Sequence, residues 1–260
     1  MKVVILCGGK GTRIRGVNDD LPKPMIPIGK YPILWHIMAG YAAYGHKDFI
    51  LCLGYKSETI KSFFLNYRAY TQNFSINFAN DGEVVFVDKS GDIDWKVTLV
   101  DTETESLTGT RIKKIESYIG DDDNFMLTYG DGIGDIDLGK LEAFHSSHGK
   151  LMTLSGVRPP SRFGELECVD GSHITEFNEK PQAREGRISG GFFVCRKELF
   201  GYLCPDKNEM LEEAPMRAIA SDGQMMMYAH DGFWQCMDTA RDYAYLNQLY
   251  DEGRAPWIKW

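Results

Sequence analysis

The chain has 260 residues, of which 43% are hydrophobic and 25% charged, a composition typical of a soluble globular protein. A chain of this length can bury a sizeable core without disulfides or structural metals. Its net charge of −8 argues against nucleic-acid binding, because contact with a phosphate backbone requires a basic face. An acidic protein can still bind a polyphosphate where a few basic residues and a metal ion converge on one pocket.

The cysteines and the apolar runs indicate a cellular compartment. Six cysteines lie far apart and form no Cys-x-x-Cys motif, which argues against a zinc site or a redox motif. We therefore expect reduced thiols in a cytoplasmic protein. The N-terminal apolar run ends at Gly8-Gly9 and is too short for the core of a signal peptide. No run approaches the roughly 18–20 apolar residues of a membrane span, so we expect no membrane partner.

Strand and helix patterns alternate along the first 156 residues. Short apolar runs predict buried strands, and segments with apolar residues at helical spacing predict helices. The predicted strands are 3–7, 49–54, 125–129 and 151–156, and the predicted helices are 31–44, 57–67 (with Ser57 as its cap) and 138–148. Such alternation is typical of an α/β fold with a mostly parallel sheet.

Two β-hairpins interrupt this alternation. Alternating residues on either side of Asn80-Asp81-Gly82 predict a hairpin over 74–88, followed by an exposed polar loop over 88–94. Asp170-Gly171 predicts a second hairpin that joins 164–169 to 173–177.

The C-terminal third mixes both kinds of element. Strands are predicted at 191–195 and 225–228, and helices at 208–221 and 239–250. The sequence contains no internal repeat and no linker. We therefore expect one domain over 1–260, with an arm at about 70–96 that has no obvious place in the core.

A glycine-rich segment, Gly8 to Arg13, follows the first predicted strand. Its three glycines let the backbone approach a ligand closely, and Arg13 adds a guanidinium group that matches phosphate geometry. The segment is not a Walker loop, because no GxxxxGK[ST] string occurs, and it lacks the third glycine of a dinucleotide-binding loop. Taken alone, it is more typical of a tight turn.

The segment Leu21–Met25 changes that balance. Pro22 and Pro24 restrict the backbone on both sides of Lys23, so its ammonium group starts from a defined point. A lysine in a proline-rich loop is otherwise most simply a solvated residue. Together, the two segments favour a phosphate-binding site after the first strand.

These motifs resemble the signature of the sugar-phosphate nucleotidylyltransferases, which reads GGxGTR followed by PKPM. Later segments narrow the resemblance to the glucose-1-phosphate cytidylyltransferase branch, namely 128–132 (TYGDG), 179–181 (EKP), 190–193 (GGFF) and 233–239 (FWQCMDT). The matching segments cover essentially the whole chain. The resemblance implies an α/β fold of the nucleotide-diphospho-sugar transferase type, in which a Rossmann-like, mostly parallel sheet is flanked by helices and carries hairpin insertions.

The resemblance also implies a reaction. CTP and a hexose 1-phosphate, above all glucose 1-phosphate, would give a CDP-sugar and pyrophosphate by direct in-line attack, without a protein nucleophile. Asp131 and Asp238 would hold Mg²⁺. Arg13 and Lys23 would hold the phosphates of CTP, and Lys180 would hold the phosphate of the sugar.

Both acids have ordinary structural interpretations as well. Asp131 lies between two glycines, where aspartate is a common turn residue, and Asp238 precedes a predicted helix, where aspartate is a common N-cap. For Asp238 alone the cap is the better interpretation, although one residue can fill both roles. Asp135 and Asp137 are expected to be turn and cap residues outside any metal shell.

The resemblance implies a set of substrate-binding residues, which consists of Leu6, Gly8, Gly9, Gly11, Thr12, Thr108, Arg111, Thr128, Gly130, Arg162, Gly164, Glu179, Gly190 and Gly191. Within this set, Thr108 to Arg111 matches the stretch that reads the pyrimidine. Three positions depart from the family pattern, because Thr110 replaces a glycine, Glu165 a small residue and Ser189 an asparagine. The last two lie on the sugar side, so the sequence leaves the identity of the sugar open.

Two alternatives remain open from the sequence. The enzyme could use another pyrimidine triphosphate or a different phosphorylated substrate, or the chain could be a non-catalytic subunit that binds nucleotide sugars. The joint presence of the three basic and two acidic residues argues against a mere binder, which does not need a metal pair. We also expect a homo-oligomer in which the arm lies over a neighbouring subunit, near its nucleotide site.

Overall fold

A computed structural model of the chain describes residues 1–11, 14, 20–87, 93–159, 165–169, 173–178 and 186–260. The strands in these ranges are β1 (Val3–Leu6), β2 (Pro27–Ile28), β3 (Tyr31–Pro32), β4 (Asp48–Leu53), β5 (Phe74–Asn77), β6 (Glu83–Phe86), β7 (Lys96–Asp101), β8 (Asn124–Tyr129), β9 (Gly132–Gly134), β10 (Met152–Val157), β11 (Glu165–Val169), β12 (His173–Asn178), β13 (Ile188–Arg196), β14 (Met225–His230) and β15 (Trp234–Cys236). The helices are α1 (Ile33–Ala42), α2 (Ser57–Leu65), α3 (Tyr67–Thr71), α4 (Thr108–Lys114), α5 (Glu116–Ile119), α6 (Leu138–His148), α7 (Ala214–Ser221) and α8 (Ala240–Asp251), with 3-10 helices at Lys23–Met25 and Lys197–Tyr202.

Seven strands form the main sheet, in the order β14-β10-β13-β8-β1-β4-β7. Within this sheet β13 runs antiparallel to β10 and β8, and the other neighbouring strands run parallel. The prediction of a mostly parallel α/β sheet is therefore confirmed. The strand β1 lies between β8 and β4, so that Leu6 pairs with Tyr129 on one side and with Cys52 on the other.

Both faces of the sheet are buried. Along β1, Val3 and Ile5 belong to one apolar core, whereas Val4 and Leu6 belong to another on the opposite face. The first core includes residues of α1 and α8, and the second includes residues of α4 and α7. A parallel sheet covered on both faces explains why its strands read as continuous apolar runs in the sequence.

The structure confirms most predicted helices and moves some of their ends. Helix α6 has the predicted bounds, and the side chain of Asp137 caps it by accepting from the backbone N–H of Lys140. Helix α1 begins at Ile33, because the two residues before it form β3. Ser57 is not the cap of α2, which follows Lys56 in a left-handed conformation. No helix within the described ranges combines the length and apolar character that spanning a membrane requires.

The structure differs from the prediction in several elements near the site, among them β7 and the start of α7. Strand β7 pairs with β4 at the edge of the sheet, and its residues are only partly buried, so its pattern lacks a long apolar run. The prediction of a helix from residue 208 is wrong over its first turns, because α7 begins at Ala214. The preceding segment instead packs against α4, where the backbone N–H of Leu211 donates to the hydroxyl of Thr108.

Both predicted hairpins are present. Strands β5 and β6 pair antiparallel, and the turn between them places Asp81 and Gly82 at positive φ. Strands β11 and β12 also pair antiparallel, while the turn between them lies outside the described residues. The predicted polar loop over 88–94 likewise falls mostly outside the described residues.

Candidate active site

The carboxyl ends of β1, β4, β7 and β8 lie at one edge of the sheet, and the segments that follow β1, β7 and β8 border a cavity of about 510 Å³. This volume is within the range of small-ligand pockets, which in α/β sheets lie at the carboxyl ends of strands. The cavity is lined by the glycine-rich segment after β1, by Lys23, by 104–108 after β7, by Tyr129–Asp131 after β8, and by Asp238.

The glycines after β1 are required for different reasons. A Cβ on Gly8 would lie 2.2 Å from the guanidinium group of Arg111, so no side chain fits there. Gly11 has a φ of +57°, which L-residues rarely adopt. Gly9 has open space around it, and an added Cβ would meet nothing within 4 Å. The backbone is thus accessible from the cavity at Gly9, as a phosphate-binding segment requires.

Lys23 lies between the two predicted acids. Its Nζ donates to Asp131 Oδ2 at 2.7 Å and also to Asp238 Oδ1. The lysine side chain is only 11% exposed, whereas about a third of each carboxylate is exposed. Burial acts to lower the pKa of Lys23, but Asp131 and Asp238 outweigh it, and the pKa is raised above 10.5. Three residues that are distant in the sequence therefore form one charged cluster, with the lysine protonated at neutral pH.

Backbone pairing holds the two acids together. Strand β9 follows Asp131 and pairs with β15, so that Gly132 lies opposite Cys236. The backbone N–H of Met237 donates to the carbonyl of Asp131 at 2.8 Å. These contacts bring the residue after β8 and the residue before α8 to one side of the cavity, and they place both carboxylates within reach of the same ammonium group.

Asp238 is not the cap of α8. The cap is Thr239, whose side chain accepts from the backbone N–H of Asp242. Asp242 Oδ2 in turn accepts from the backbone N–H groups of Thr239 (2.8 Å) and Asp238 (3.1 Å). The capping interpretation of Asp238 is therefore wrong, and its side chain is left to face Lys23. Sequence reasoning missed Asp242, although Thr239 and an acid three residues later form a recognisable capping box.

Cys236 is part of the same surroundings. Its Sγ donates to Asp238 Oδ2 at 3.6 Å. Burial, reinforced by Asp238, raises the pKa of this thiol to about 12. Cys236 is thus a neutral donor to the carboxylate and not a nucleophile at neutral pH, which agrees with a reaction that needs no protein nucleophile.

Arg111 is buried beneath the glycine-rich segment and holds the loops of the cavity. Its guanidinium group donates to the carbonyl oxygens of Leu53, Gly8, Glu103 and Thr104 and to the hydroxyl of Thr102. The expected role of Arg111 was substrate binding, but its N–H groups are used on protein oxygens. Its positive charge still lies at the wall of the cavity, where it favours an anionic ligand.

Helix α4 begins at the cavity and is tied to the segment before α7. The hydroxyl of Thr110 donates to the carbonyl of Lys207 at 3.1 Å and accepts from the N–H of Glu209 at 2.9 Å. Thr110 replaces a glycine of the family pattern, and these two bonds are ones that glycine cannot make. The Glu212 carboxylate accepts from Thr108 Oγ1 at 2.5 Å and from the hydroxyl of Tyr129. Sequence reasoning assigned no role to Glu212, which fell within a predicted helix.

Other expected site residues lie around the cavity. Thr128 is buried within β8, and its neighbours Tyr129 and Gly130 line the cavity. Gly191 has a φ of +75°, and a Cβ there would lie 2.4 Å from the Tyr129 ring. The carbonyl of Gly190 accepts from the indole of Trp234 at 2.8 Å. Gly191 thus lets β13 approach Tyr129, which lines the cavity, whereas a Cβ on Gly190 would meet Val157.

Several expected positions lie outside the described residues. They are Thr12, Arg13, Arg162, Gly164, Glu179 and Lys180. Glu165 is described only as the first residue of β11. Asp137 caps α6 as expected, and Asp135 lies 3.0 Å from the His230 imidazole.

The donor set near Lys23 fits a hard divalent cation with few protein ligands. Two carboxylates supply the oxygen atoms, and the described residues contain no group of three or more His, Cys, Asp or Glu arranged around a metal site. Mg²⁺ commonly binds one or two carboxylates and takes its remaining ligands from water and substrate phosphates. The Lys23 ammonium between Asp131 and Asp238 marks a position where a positive charge is accommodated.

Comparison with known proteins identifies the family. Residues 2–252 match the sequence family described as nucleotidyl transferases. The chain belongs to this family. It is 42% identical, over the full length of both chains, to the glucose-1-phosphate cytidylyltransferase of Salmonella typhi. It is also 42% identical over the full length of both chains to the probable glucose-1-phosphate cytidylyltransferase of Bacillus subtilis. The resemblance found in the sequence is therefore confirmed, and this nucleotidyl transferase is an enzyme.

A solved structure agrees with the fold. A putative glucose-1-phosphate thymidylyltransferase from Bacillus anthracis, solved in complex with sucrose, superposes with a TM-score of 0.71. The alignment covers 100% of this chain and 97% of that chain, at 19% sequence identity. The likeness confirms the predicted nucleotidyl transferase type of α/β fold.

Proposed function

We propose that this nucleotidyl transferase condenses CTP with glucose 1-phosphate to give CDP-glucose and pyrophosphate. The observation that carries the proposal is the cluster of Lys23, Asp131 and Asp238 at the wall of a cavity bordered by glycines. The full-length identity to glucose-1-phosphate cytidylyltransferases supports the choice of CTP and of glucose 1-phosphate. The alternatives within the class are another pyrimidine triphosphate or a different phosphorylated substrate.

The cavity suggests how CTP lies. The glycine-rich segment after β1 would carry the triphosphate, because its backbone approaches the cavity without side chains. The 104–108 segment and Leu6 also line the cavity, and the base and ribose would lie against them. Arg13 would add a guanidinium group to the phosphates, as the resemblance implies. In this orientation the α-phosphate lies nearest Asp131 and Asp238.

We further propose that Asp131 and Asp238 bind Mg²⁺ together with the phosphates of CTP. The bound ion would neutralise charge on the phosphates. Lys23 would exchange its two carboxylates for phosphate oxygens when CTP enters, because a carboxylate bound to a divalent cation attracts the ammonium group less strongly. Lys23 would thereby offset part of the negative charge of the two carboxylates before substrate arrives and donate to the phosphates afterwards.

Chemistry in the site consists of positioning and charge stabilisation. A phosphate oxygen of glucose 1-phosphate, held by Lys180, would attack the α-phosphorus of CTP in line, and pyrophosphate would leave. The attacking phosphate is ionised at neutral pH, so no protein base or nucleophile is needed. Lys23 and Arg13 would stabilise the charge that develops on the phosphates in the transition state.

A substrate panel tests the proposal. Pyrophosphate release is measured for CTP, UTP, dTTP and GTP, each with the 1-phosphates of glucose, galactose and mannose. We expect CTP with glucose 1-phosphate to have the highest kcat/KM, by about tenfold or more over other pairs. Faster turnover of UTP or dTTP than of CTP with every sugar would show that the cytidylyl assignment is wrong. Asp131→Asn is the matched variant, because it should abolish turnover while CDP-glucose still binds.

A further inference from the structure

Two hydroxyl groups that border the cavity share one acceptor. Thr108 Oγ1 donates to Glu212 Oε2 at 2.5 Å, and the hydroxyl of Tyr129 donates to Glu212 Oε1. Thr108 belongs to the base-side wall after β7, and Tyr129 belongs to the wall after β8. Glu212 comes from the segment before α7 and therefore joins two walls of the cavity from behind.

A carboxylate fixes the direction of both bonds. An ionised Glu212 accepts hydrogen bonds and cannot donate them. The hydroxyl protons of Thr108 and Tyr129 must therefore point towards Glu212 and away from the cavity. The oxygen of Thr108 also accepts from the backbone N–H of Leu211 at 2.9 Å. The Thr108 oxygen therefore has one lone pair left for a ligand, and its proton is not available to a ligand. Burial, together with Glu212, raises the pKa of Tyr129, so this hydroxyl also keeps its proton for Glu212.

Neighbouring donors on this wall are engaged within the protein. The backbone N–H of Leu107 donates to Asn208 Oδ1 at 2.8 Å. The guanidinium group of Arg111 donates to oxygens of the surrounding loops, as described above. These two donors beside Thr108 are thus unavailable to a ligand, whereas the Thr108 oxygen keeps a lone pair.

We propose that Glu212 determines base specificity by making Thr108 an obligatory hydrogen-bond acceptor that selects a pyrimidine with an exocyclic amine. The amine of cytosine is a donor and can bond to the Thr108 oxygen, whereas uracil presents a carbonyl oxygen at the same position. A carbonyl that faces the lone pair of Thr108 would be desolvated without a partner. This inference rests on the proposed function, since it assumes that the base lies at the 104–108 wall.

The test compares CTP with UTP in matched variants. Glu212→Gln retains the shape of the side chain but replaces one acceptor oxygen with an NH2 group. Where that NH2 group faces Thr108, it donates to the Thr108 hydroxyl, whose proton can then turn towards the base. Thr108→Val removes the hydroxyl altogether. We expect the ratio of kcat/KM for CTP over that for UTP, with glucose 1-phosphate, to fall about tenfold or more in each variant. The double variant should show no further fall, because both substitutions remove one interaction.

Glu209→Ala is the control. It removes the side-chain acceptor of the backbone N–H of Cys204 in the segment that carries Glu212, without touching the hydroxyl of Thr108 or the backbone N–H of Leu107. It should lower kcat/KM for CTP and UTP by the same factor and leave their ratio unchanged. Dissociation constants for CTP and UTP, measured by calorimetry, give a readout that does not depend on turnover and should follow the same pattern.

The outcomes separate the inference from the proposed function. An unchanged CTP-to-UTP ratio in Thr108→Val, or equal losses for both nucleotides in that variant, would overturn the inference while the proposed function stands. A wild-type enzyme that does not prefer CTP would overturn the cytidylyl assignment and this inference with it. If Glu212→Gln fails to fold by circular dichroism, Thr108→Val decides alone, because its effect on the ratio is required by the inference in the same way.

Discussion

Lys23 controls the electrostatics of the site because a single ammonium group lies between two neighbouring carboxylates and offsets half of their negative charge. Its side chain is nearly buried between them, while Asp131 and Asp238 remain partly exposed to the cavity. Without the ammonium, two like charges would face each other at short range, which is unfavourable. The same arrangement makes the pair a receptive site for another cation.

We predict that Lys23→Met destabilises the protein by about 1–3 kcal/mol at neutral pH and lowers kcat by at least about 100-fold. The loss of stability should be smaller at pH 5 than at pH 8. Protonation of one acid relieves the repulsion between the two carboxylates, so we expect the folded variant to take up a proton more readily than the unfolded chain does. Mg²⁺ should raise the melting temperature of the variant more than that of the wild type.

Thermal unfolding at both pH values, with and without Mg²⁺, measures these effects. Lys140→Met serves as the control, because it breaks an exposed ion pair with Asp137, outside the cavity lining, and should leave the stability nearly unchanged. Equal stabilisation of the wild type and Lys23→Met by Mg²⁺ would contradict a cation site between the two acids.

Sequence reasoning found these residues but not their arrangement. Lys23, Asp131 and Asp238 were predicted from motifs that the resemblance combines into one site. Lys23 was expected to bind the phosphates of CTP, but in the structure it donates to two carboxylates. The motif identifies the residue and does not report its partners within the fold. Glu212 was missed because its partners, Thr108 and Tyr129, are about a hundred residues away and only the folded chain brings them together.

At the level of elements, helix α8 matters because its first turn fixes the second acid. Asp242 accepts from the backbone N–H of Asp238 and Thr239, from the hydroxyl of Thr239 and, through Oδ1, from the buried amide of Gln235. One carboxylate thus connects β15, the residue that faces Lys23, and the start of α8. The helix was predicted to within a residue, since its apolar spacing and capping residues are local signals.

Asp242→Ala is predicted to lower kcat by about tenfold or more and to raise the Mg²⁺ concentration needed for half-maximal activity. The free backbone before α8 would let Asp238 move, and small displacements of a positioned group are costly. Asp242→Glu should recover most of the activity, because glutamate is common at this position of a capping box.

Asp137→Ala provides the comparison, since it removes the cap of α6 outside the cavity. Both alanine variants should lose about 0.5–2 kcal/mol of stability, but Asp137→Ala should keep the wild-type kcat. Binding of Mn²⁺ in the presence of CTP, followed by electron paramagnetic resonance, reports on the metal site without turnover. Similar kcat values for the two variants would show that Asp242 only caps its helix.

Element boundaries were hardest to predict where a segment with helix-forming residues makes tertiary contacts and does not form a helix. The residues before α7 include good helix formers, and their pattern extended the predicted helix back to Asn208. In the structure, Asn208 holds the backbone of Leu107 and Glu105, and the backbone N–H of Glu209 donates to Thr110. These contacts replace the first turns of the helix, and no local pattern reports them.

At the scale of the molecule, the hairpin of β5 and β6 has apolar residues on both of its faces. Phe78 is 83% exposed and Val87 is 69% exposed, with Phe74, Ile76, Val84 and Val85 also exposed. An isolated two-stranded hairpin is at best marginally stable in water, and apolar patches of this kind mark interaction surfaces. These observations support the proposal that the arm over 70–96 covers a second copy of the chain.

If the arm joins subunits, charges on its apolar faces should separate them. We predict that the double variant Phe78→Asp and Val85→Asp shifts the protein from an oligomer to a monomer at micromolar concentration, with an unchanged circular dichroism spectrum. Burying the two carboxylates in an apolar contact would be unfavourable, whereas in the monomer they stay in water. Activity should fall when the oligomer dissociates if the arm lies near the nucleotide site of its neighbour.

Sedimentation velocity measures the shift from oligomer to monomer. Tyr118→Asp, at an exposed residue of α5, is the control and should leave the oligomeric state unchanged. A wild-type protein that sediments as a monomer would contradict the proposal that the arm covers a second copy of the chain, because the apolar faces of the hairpin would then stay exposed to water.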